Sequence, residues 1–305
     1  MKLLLLVNSS ASSVTARARV VIQKALAADH EVTVAETNRR GHAARLAQGA
    51  AAEGVDVVVV LGGDGTLNEA ANGLAGSRTA LAALPGGSTN VFARTIGLPN
   101  DPIEATSHLL EALEAGSIRR VGLGVLNGRY FLFHVGFGYD AAVVEQVERR
   151  ASIKRWAGHP LFIYAAVATW FNHFDRRHPG FAVHHGDGSV TEDGYFAVAF
   201  NTNPYTFVGN KPFDAALEAT LDRGLVTMVC RSMRFASILR LTRAGLKGHG
   251  QISQLRYVDY RTDVAELVVV GHHPVPYQVD GDFLGRLDRL ELRHDPEVLD
   301  LVLPC

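Results

Sequence analysis

The chain has 305 residues, 47% hydrophobic and 20% charged. This is an ordinary globular balance, long enough for two domains of about 150 residues. Lys+Arg number 30 against 31 Asp+Glu, a net charge of -1, which excludes a strongly basic nucleic-acid binder. No nucleic-acid partner is therefore expected. Cys230 and Cys305 are the only cysteines. They are too few for a disulfide framework and fit a reducing compartment such as the cytoplasm.

The first apolar run, Leu3–Val7, is shorter than the ~7–15 residues of a signal h-region and reads as a buried strand. The longest later run, Leu161–Phe171, falls short of the ~18–20 residues of a membrane span. Strand and helix then alternate. Helices are predicted at Val14–Ala28, Gly41–Glu53, Thr66–Leu74, Val91–Ile96 and Pro102–Ala115. Strands are predicted at Glu31–Ala35, Asp56–Leu61 and Ala80–Leu84. The valines of Asp56–Leu61 suit a strand buried on both faces. This rhythm predicts an α/β domain with a doubly wound parallel sheet.

Past Val121 the pattern turns β-rich. Strands are expected at Phe131–Val135, Gly180–His185, Tyr195–Asn201, Leu225–Cys230, Gln254–Tyr260, Ala265–Val270 and Pro276–Val279. Only an apolar helix at Pro160–Phe174 and a basic one at Phe235–Leu246 interrupt them. The prediction is an α/β domain at 1–121, joined by a returning segment at 288–305, and an antiparallel β-rich domain at 122–287.

The most informative stretch is Gly62-Gly63-Asp64-Gly65-Thr66-Leu67-Asn68-Glu69, directly after the valine strand. Glycines let a backbone approach a ligand closely. Thr66 and Glu69 have capping-box spacing, which predicts a helix start near Thr66. A helix start after glycines is an anion site and suits a polyphosphate. It is neither a Walker A loop nor a dinucleotide fingerprint. Asp64 beside phosphates calls for a cation, most simply Mg²⁺. A second turn, Pro85-Gly86-Gly87-Ser88-Thr89-Asn90, follows the next strand, and Asn8-Ser9-Ser10 follows the first. Parallel strands place all three turns on one edge.

Gly62–Glu69 resembles the motif of the diacylglycerol kinase catalytic superfamily, whose members include bacterial lipid kinases and sphingosine kinases. Asn8 matches an early family Asn, with Ser9 where a Pro is usual. Thr37 stands before His42-Ala43. Leu84–Asn90 with Phe92-Ala93-Arg94, Gly136–Ala141, Asn203 with Tyr205, and Asp280-Gly281-Asp282 resemble later family stretches. The resemblance implies an ATP-dependent lipid kinase of two domains with an active site in the cleft between them. Asn8, Thr37, Gly62, Gly63, Asp64, Gly65, Thr66, Leu67, Asn68, Glu69 and Ser88, with Thr89 as fallback, would hold ATP. Asp64 would face Mg²⁺ through the nucleotide. Asp282 would be the general base, one methylene shorter than the family's Glu, with Asp280 supporting it or helping to hold magnesium. Arg223, in the turn Leu221–Leu225, stands where some members carry a metal-binding Asp, so no structural magnesium site is predicted there.

Two rivals remain: an NAD kinase-like enzyme, and a non-catalytic nucleotide-binding regulator at membranes. Basic residues bracket the apolar helix: Arg149, Arg150, Lys154, Arg155, Arg176 and Arg177. A second basic run is Arg231, Arg234, Arg240, Arg243 and Lys247. With Trp156, Phe162, Tyr164, Trp170, Phe171 and Phe174 they predict a peripheral membrane surface where a lipid substrate arrives. A homodimer is left open.

Overall fold

The computed structural model describes residues 1–149, 164–172 and 174–305. The chain divides into one unit of Met1–Leu123 with Pro296–Cys305, and another of Gly124–Asp295.

The first unit is built on the parallel strands β1 (Lys2–Val7), β2 (Glu31–Glu36), β3 (Val57–Gly62) and β4 (Ala80–Pro85), in the order β4-β3-β1-β2. β3 is buried along its whole length, whereas edge strand β2 alternates exposed and half-buried residues. That is the burial expected for a central strand and an edge strand. The helices are α1 (Ala16–Leu26), α2 (His42–Ala52), α3 (Asp64–Leu74), α4 (Val91–Thr95) and α5 (Pro102–Glu114). Thr15 caps α1 by accepting from Ala18 N at 3.1 Å. Asp101 caps α5 through Ile103 N and Glu104 N, both at 2.9 Å, with Pro102 in the first turn.

The path from β1 to β2 runs one way across the sheet, and the path from β2 to β3 runs back past β1. Right-handed crossovers then place α1 and α2 on opposite faces. Accordingly α1 packs on α5, and α2 packs on α3. A Cβ at Gly73 would lie 2.3 Å from Ala44 O, so glycine permits the close crossing of α2 and α3. The returning end of the chain lies beside β4, Leu301 against Leu81. It is held by Arg120, which donates to Ser77 O at 2.9 Å and pairs with Asp300 at 3.0 Å.

The second unit is antiparallel. Its strands are β6 (Arg129–Phe131), β7 (His134–Gly138), β8 (Phe181–His185), β9 (Val190–Gly194), β10 (Phe196–Phe200), β11 (Thr206–Val208), β12 (Lys211–Phe213), β13 (Leu225–Cys230), β14 (Val258–Val264) and β15 (Glu266–Val279). β5 (Ile118–Leu126) leads into it, and β16 (Asp282–Val302) leads out. The main order is β14-β13-β10-β7-β15-β16. β10 feeds two cores by alternation: Ala197 and Ala199 pack with Phe131, Val135 and Phe181, while Phe196, Val198 and Phe200 pack with Met228 and Leu241.

Several features differ from the prediction, and the predicted strand Phe131–Val135 is split between β6 and β7. A helix, α6 (Tyr139–Glu148), follows β7 directly. Its valines favour a strand, but Gly138, at φ 69, ends β7 and starts the helix. The predicted strands Ala265–Val270 and Pro276–Val279 are parts of the single strand β15, bent where its register shifts between Val270 and Val275. Pro274, with no N–H, lies in that bend. The predicted strand at Gln254–Tyr260 opens instead as a 3₁₀ turn over Gln251–Gln254, and β14 starts at Val258. Residues 164–172, here α7, are helical, as is α8 (Phe235–Lys247). Arg150, Lys154, Arg155, Trp156 and Phe162 lie outside the described residues. Among the described residues no helix is long and apolar enough to cross a membrane.

Candidate functional site

In the first unit the winding reverses between β1 and β3. Open α/β sheets bind ligands beyond the strand ends at such a reversal, and three turns meet there. After β1, Asn8 N donates to Leu61 O at 3.0 Å, and Asn8 Nδ2 donates to Thr66 Oγ1 at 2.8 Å. After β4, Gly86 N donates to Gly62 O at 2.8 Å. Ser13 joins them through its N to Gly86 O at 2.9 Å and its Oγ to Gly87 O at 3.0 Å.

The glycines are required because backbone lies on backbone. A Cβ on Gly86 would sit 2.8 Å from Gly62 N, and one on Gly87 would sit 2.8 Å from Gly63 Cα. Val14 and Asn90 side chains also press on Gly86 and Gly87, and the two glycine turns lie directly against each other. Their accessible part is Gly63-Asp64-Gly65, the half-exposed start of α3.

Asp64 joins the two glycine turns. Its Oδ2 accepts from Val91 N and its Oδ1 from Phe92 N, both at 3.0 Å, at the N-terminus of α4. A carboxylate at a helix start is favoured by the unpaired amides and the dipole. The role given to Asp64 opposite Mg²⁺ therefore competes with these two bonds. Asn90, read from the sequence as the amide of the second turn, completes it. At φ 50 its Oδ1 accepts from Gly87 N at 2.7 Å, and its Nδ2 donates to Gly87 O at 2.9 Å.

The predicted capping box does not form. α3 starts two residues earlier, at Asp64, with Gly63 as its cap. Thr66 Oγ1 is taken by Asn8. Glu69 instead accepts from Gly41 N at 2.8 Å and Ala43 N at 3.2 Å, so its charge caps α2. Leu67 and Asn68 turn inward and are buried, with Asn72 Nδ2 donating to Asn68 O at 2.9 Å. The motif thus divides into an open half, Gly63–Gly65, and a half that fixes the fold, Thr66–Glu69. Ser88 is exposed, and Thr89 and Thr37 are half-buried. Among the described residues their hydroxyls have no hydrogen-bond partner.

In the second unit, Asp280-Gly281 is the two-residue turn between β15 and β16, with Val279 opposite Asp282. Both turn residues have positive φ, 48 and 81, the backbone of a type I′ hairpin, for which Asp-Gly is favoured. The Asp280 carboxylate points inward. It accepts from Leu132 N at 2.8 Å, Phe133 N at 3.0 Å and His134 N at 3.1 Å. Its oxygens are engaged by buried backbone amides. Asp282, next in the chain, is half-buried at the start of β16.

A buried polar network stands behind this turn. Gln278 Oε1 accepts from Gly281 N at 2.8 Å. Gln278 Nε2 donates to Asp140 Oδ2 at 2.9 Å and lies 3.1 Å from His134 Nδ1. Tyr205 OH donates to Asp140 Oδ1 at 2.6 Å, and its ring stacks on His134 with centroids 4.4 Å apart. His134 Nδ1 is then an acceptor, and Nε2–H donates to Tyr205 O, which is the neutral tautomer. Burial lowers His134 to about 4 and raises the Asp140 carboxyl. A Cβ on Gly136 would fall 1.6 Å from Asp140 Oδ2, and one on Gly138 2.4 Å from Tyr195 O. These contacts account for the Gly-x-Gly-x-Asp pattern. His134, Tyr205 and Gln278 are far apart in sequence, and no local spacing signals the network.

Beside α6 the same unit holds a cavity of about 260 Å³. Ala142, Phe181 and Val275 line it, as do Glu145, Arg149 and Arg286. Glu145 bridges the two arginines at 2.7 Å each.

Residues 2–125 match the family model of the diacylglycerol kinase catalytic domain. A diacylglycerol kinase of Bacillus subtilis is 37% identical over 120 residues, 39% of this chain and 39% of that protein. The match thus spans about two-fifths of that relative's length. Across 99% of this chain and 96% of the other, the fold is similar to a diacylglycerol kinase from Bacillus anthracis, with TM-score 0.73 and 21% identity. An NAD kinase from Archaeoglobus fulgidus, solved in complex with ATP, shares the fold at TM-score 0.53 and 11% identity, over 100% of this chain and 94% of that one. The fold is similar to those of a diacylglycerol kinase and an NAD kinase, and within this chain residues 2–125 match the diacylglycerol kinase catalytic-domain model.

Proposed function

We propose that the protein is a lipid kinase that moves the γ-phosphoryl group of ATP to a hydroxyl of a lipid such as diacylglycerol. The amide cradle at the sheet's reversal carries this reading: two glycine turns in backbone contact, at the start of α3, with accessible Ser88 and Thr89 hydroxyls beside them. Open amides and hydroxyls fit a polyphosphate. The residues that would hold it are Gly63, Gly65, Ser88, Thr89 and Thr37. ATP when bound supplies the phosphoryl group, and Mg²⁺ arriving with it neutralises phosphate charge. The protein's own part is to position and to accept a proton.

A lipid hydroxyl ionises far above neutral pH, so a base is needed only as the bond to phosphorus forms. Asp282 fills that role in this reading. Its backbone is fixed by the Asp280 clamp and by Gln278, which limits how far a short side chain wanders. The cavity beside α6 combines apolar walls with an Arg–Glu–Arg edge, a lining suited to a lipid headgroup.

Transfer of labelled phosphate from ATP should be measured against diacylglycerol, a monoacylglycerol, a sphingoid base, an isoprenoid alcohol and NAD. Label in a lipid and none in NAD is expected. Label in NAD alone would replace this reading with the NAD kinase one. Label in no acceptor, with ATP still bound, would favour a non-catalytic regulator.

A further inference from the structure

Helix α8 of the second unit has three faces. Ser237, Leu241, Ala244 and Gly245 are buried against the sheet. Phe235, Leu239 and Leu246 lie on one outward stripe and are 63%, 58% and 46% exposed. Their spacing of i, i+4 and i+11 keeps them in line on an α-helix. Arg240, Arg243 and Lys247 lie together beside that stripe, also exposed. They make no ion pair among the described residues. From Arg231 to Val258 the chain has no acidic residue.

The apolar stripe continues onto α7. The Phe235 ring meets Trp170 with centroids 5.7 Å apart. On α7, Val167 and Phe171 are exposed, four residues apart on one side of the helix. The Arg176 guanidinium stacks over Trp170 at 4.1 Å. A stable core would have buried these rings and leucines. An apolar stripe flanked on one side by cations suits a bilayer interface, where the stripe enters the acyl boundary and the cations face phosphates.

We propose that α8, with the exposed side of α7, docks the protein on an anionic membrane surface. The proposal rests on the lipid-kinase reading for its purpose but on this surface alone for its chemistry. The run from Arg231 to Val258, which carries no acidic residue, favours an anionic bilayer over a neutral one. Each cation near such a surface adds about 1 kcal/mol, so neutralising three should weaken binding roughly a hundredfold.

The test uses the full chain and no nucleotide. Vesicles of phosphatidylcholine alone, and with phosphatidylglycerol added, are sedimented with wild type, with Leu239→Ser/Leu246→Ser, and with Arg240→Gln/Arg243→Gln/Lys247→Gln. All of these side chains are exposed, so melting temperatures should match wild type. The expected result is binding to anionic vesicles that weakens with added salt. The leucine variant should lose at least tenfold in affinity and the basic variant roughly a hundredfold. A polarity-sensitive dye at Leu239→Cys, in a Cys305→Ser background, should shift to the blue on anionic vesicles. The same dye at Glu53→Cys in the first unit should not. Equal binding to both vesicle types, or wild-type binding by both variants, would overturn the proposal. A dimer in solution that the leucine variant dissolves would also overturn it, by assigning the stripe to a second copy. Transfer to detergent-dispersed lipid should be unchanged in both variants. Loss of transfer in wild type itself would count against the kinase reading and leave the docking result to stand separately.

Discussion

The turns that carry Asp64 and Asp280 use one device for different ends. Each carboxylate accepts backbone amides from a distant segment. Asp64 binds Val91 and Phe92, and Asp280 binds Leu132, Phe133 and His134. Asp64 sits at a half-exposed helix start and draws two glycine turns into a cradle that stays open. Asp280 is buried, and behind it lies a closed network of His134, Gln278, Asp140 and Tyr205. The first arrangement leaves donors for a ligand. The second holds the Asp280-Gly281 hairpin between β15 and β16 in place. A carboxylate in a motif is therefore not by itself a chemical group, because its partners decide its role.

Substitutions can break this comparison. Asp280→Ala should have the largest effect. It strands three buried amides and leaves alanine at positive φ, for a loss of about 3 kcal/mol or more in denaturant unfolding. A loss under about 1 kcal/mol would show that the clamp contributes little.

Acid should come next. The folded state keeps His134 neutral down to about 4, whereas the unfolded chain protonates it below about 6.5. The unfolded state then binds more protons between those values, so stability is full above about 6.5 and falls as pH drops towards 4. Unfolding free energy should be about 2 kcal/mol lower at pH 5 than at pH 7 from this residue. Asp140, raised by burial, acts in the opposite sense as it protonates. The His134 share is therefore read as the difference from His134→Gln, and identical pH slopes in the two proteins would remove it.

Asp64→Asn turns an acceptor into an NH₂ group facing one of the two amides. Stability should fall by about 1–2 kcal/mol, and transfer should fall with it as the cradle loosens. A fully active and equally stable variant would detach Asp64 from the site. Ser88→Ala is expected to be the mildest. Thermal stability should stay within about 0.5 kcal/mol, while the KM for ATP rises several-fold. An unchanged KM would move the contact to Thr89.

The first unit was largely legible in the sequence because its signals are local. Valine runs marked buried strands, glycines followed strand ends, and parallel pairing brought the turns together. What stayed hidden was long-range. Thr66 and Glu69 have capping-box spacing, but Asn8 and the amides of α2 compete for them and win. α6 was not read from the sequence, and it is Gly138, at φ 69, that ends β7 and starts the helix. The buried network joins residues that meet only after the β-sheet forms. Asp280 and Asp282 look equivalent in a string of three residues, and only the fold turns one inward.

The most direct test is Asp282→Asn, measured for stability and for phosphoryl transfer on one preparation. Asp282 is half-buried, and the turn is held by its neighbours, so melting should be unchanged. Transfer to the lipid acceptor should fall by about a hundredfold or more, as expected for loss of a general base. Undiminished transfer in a folded Asp282→Asn protein would contradict the division of roles between the two aspartates.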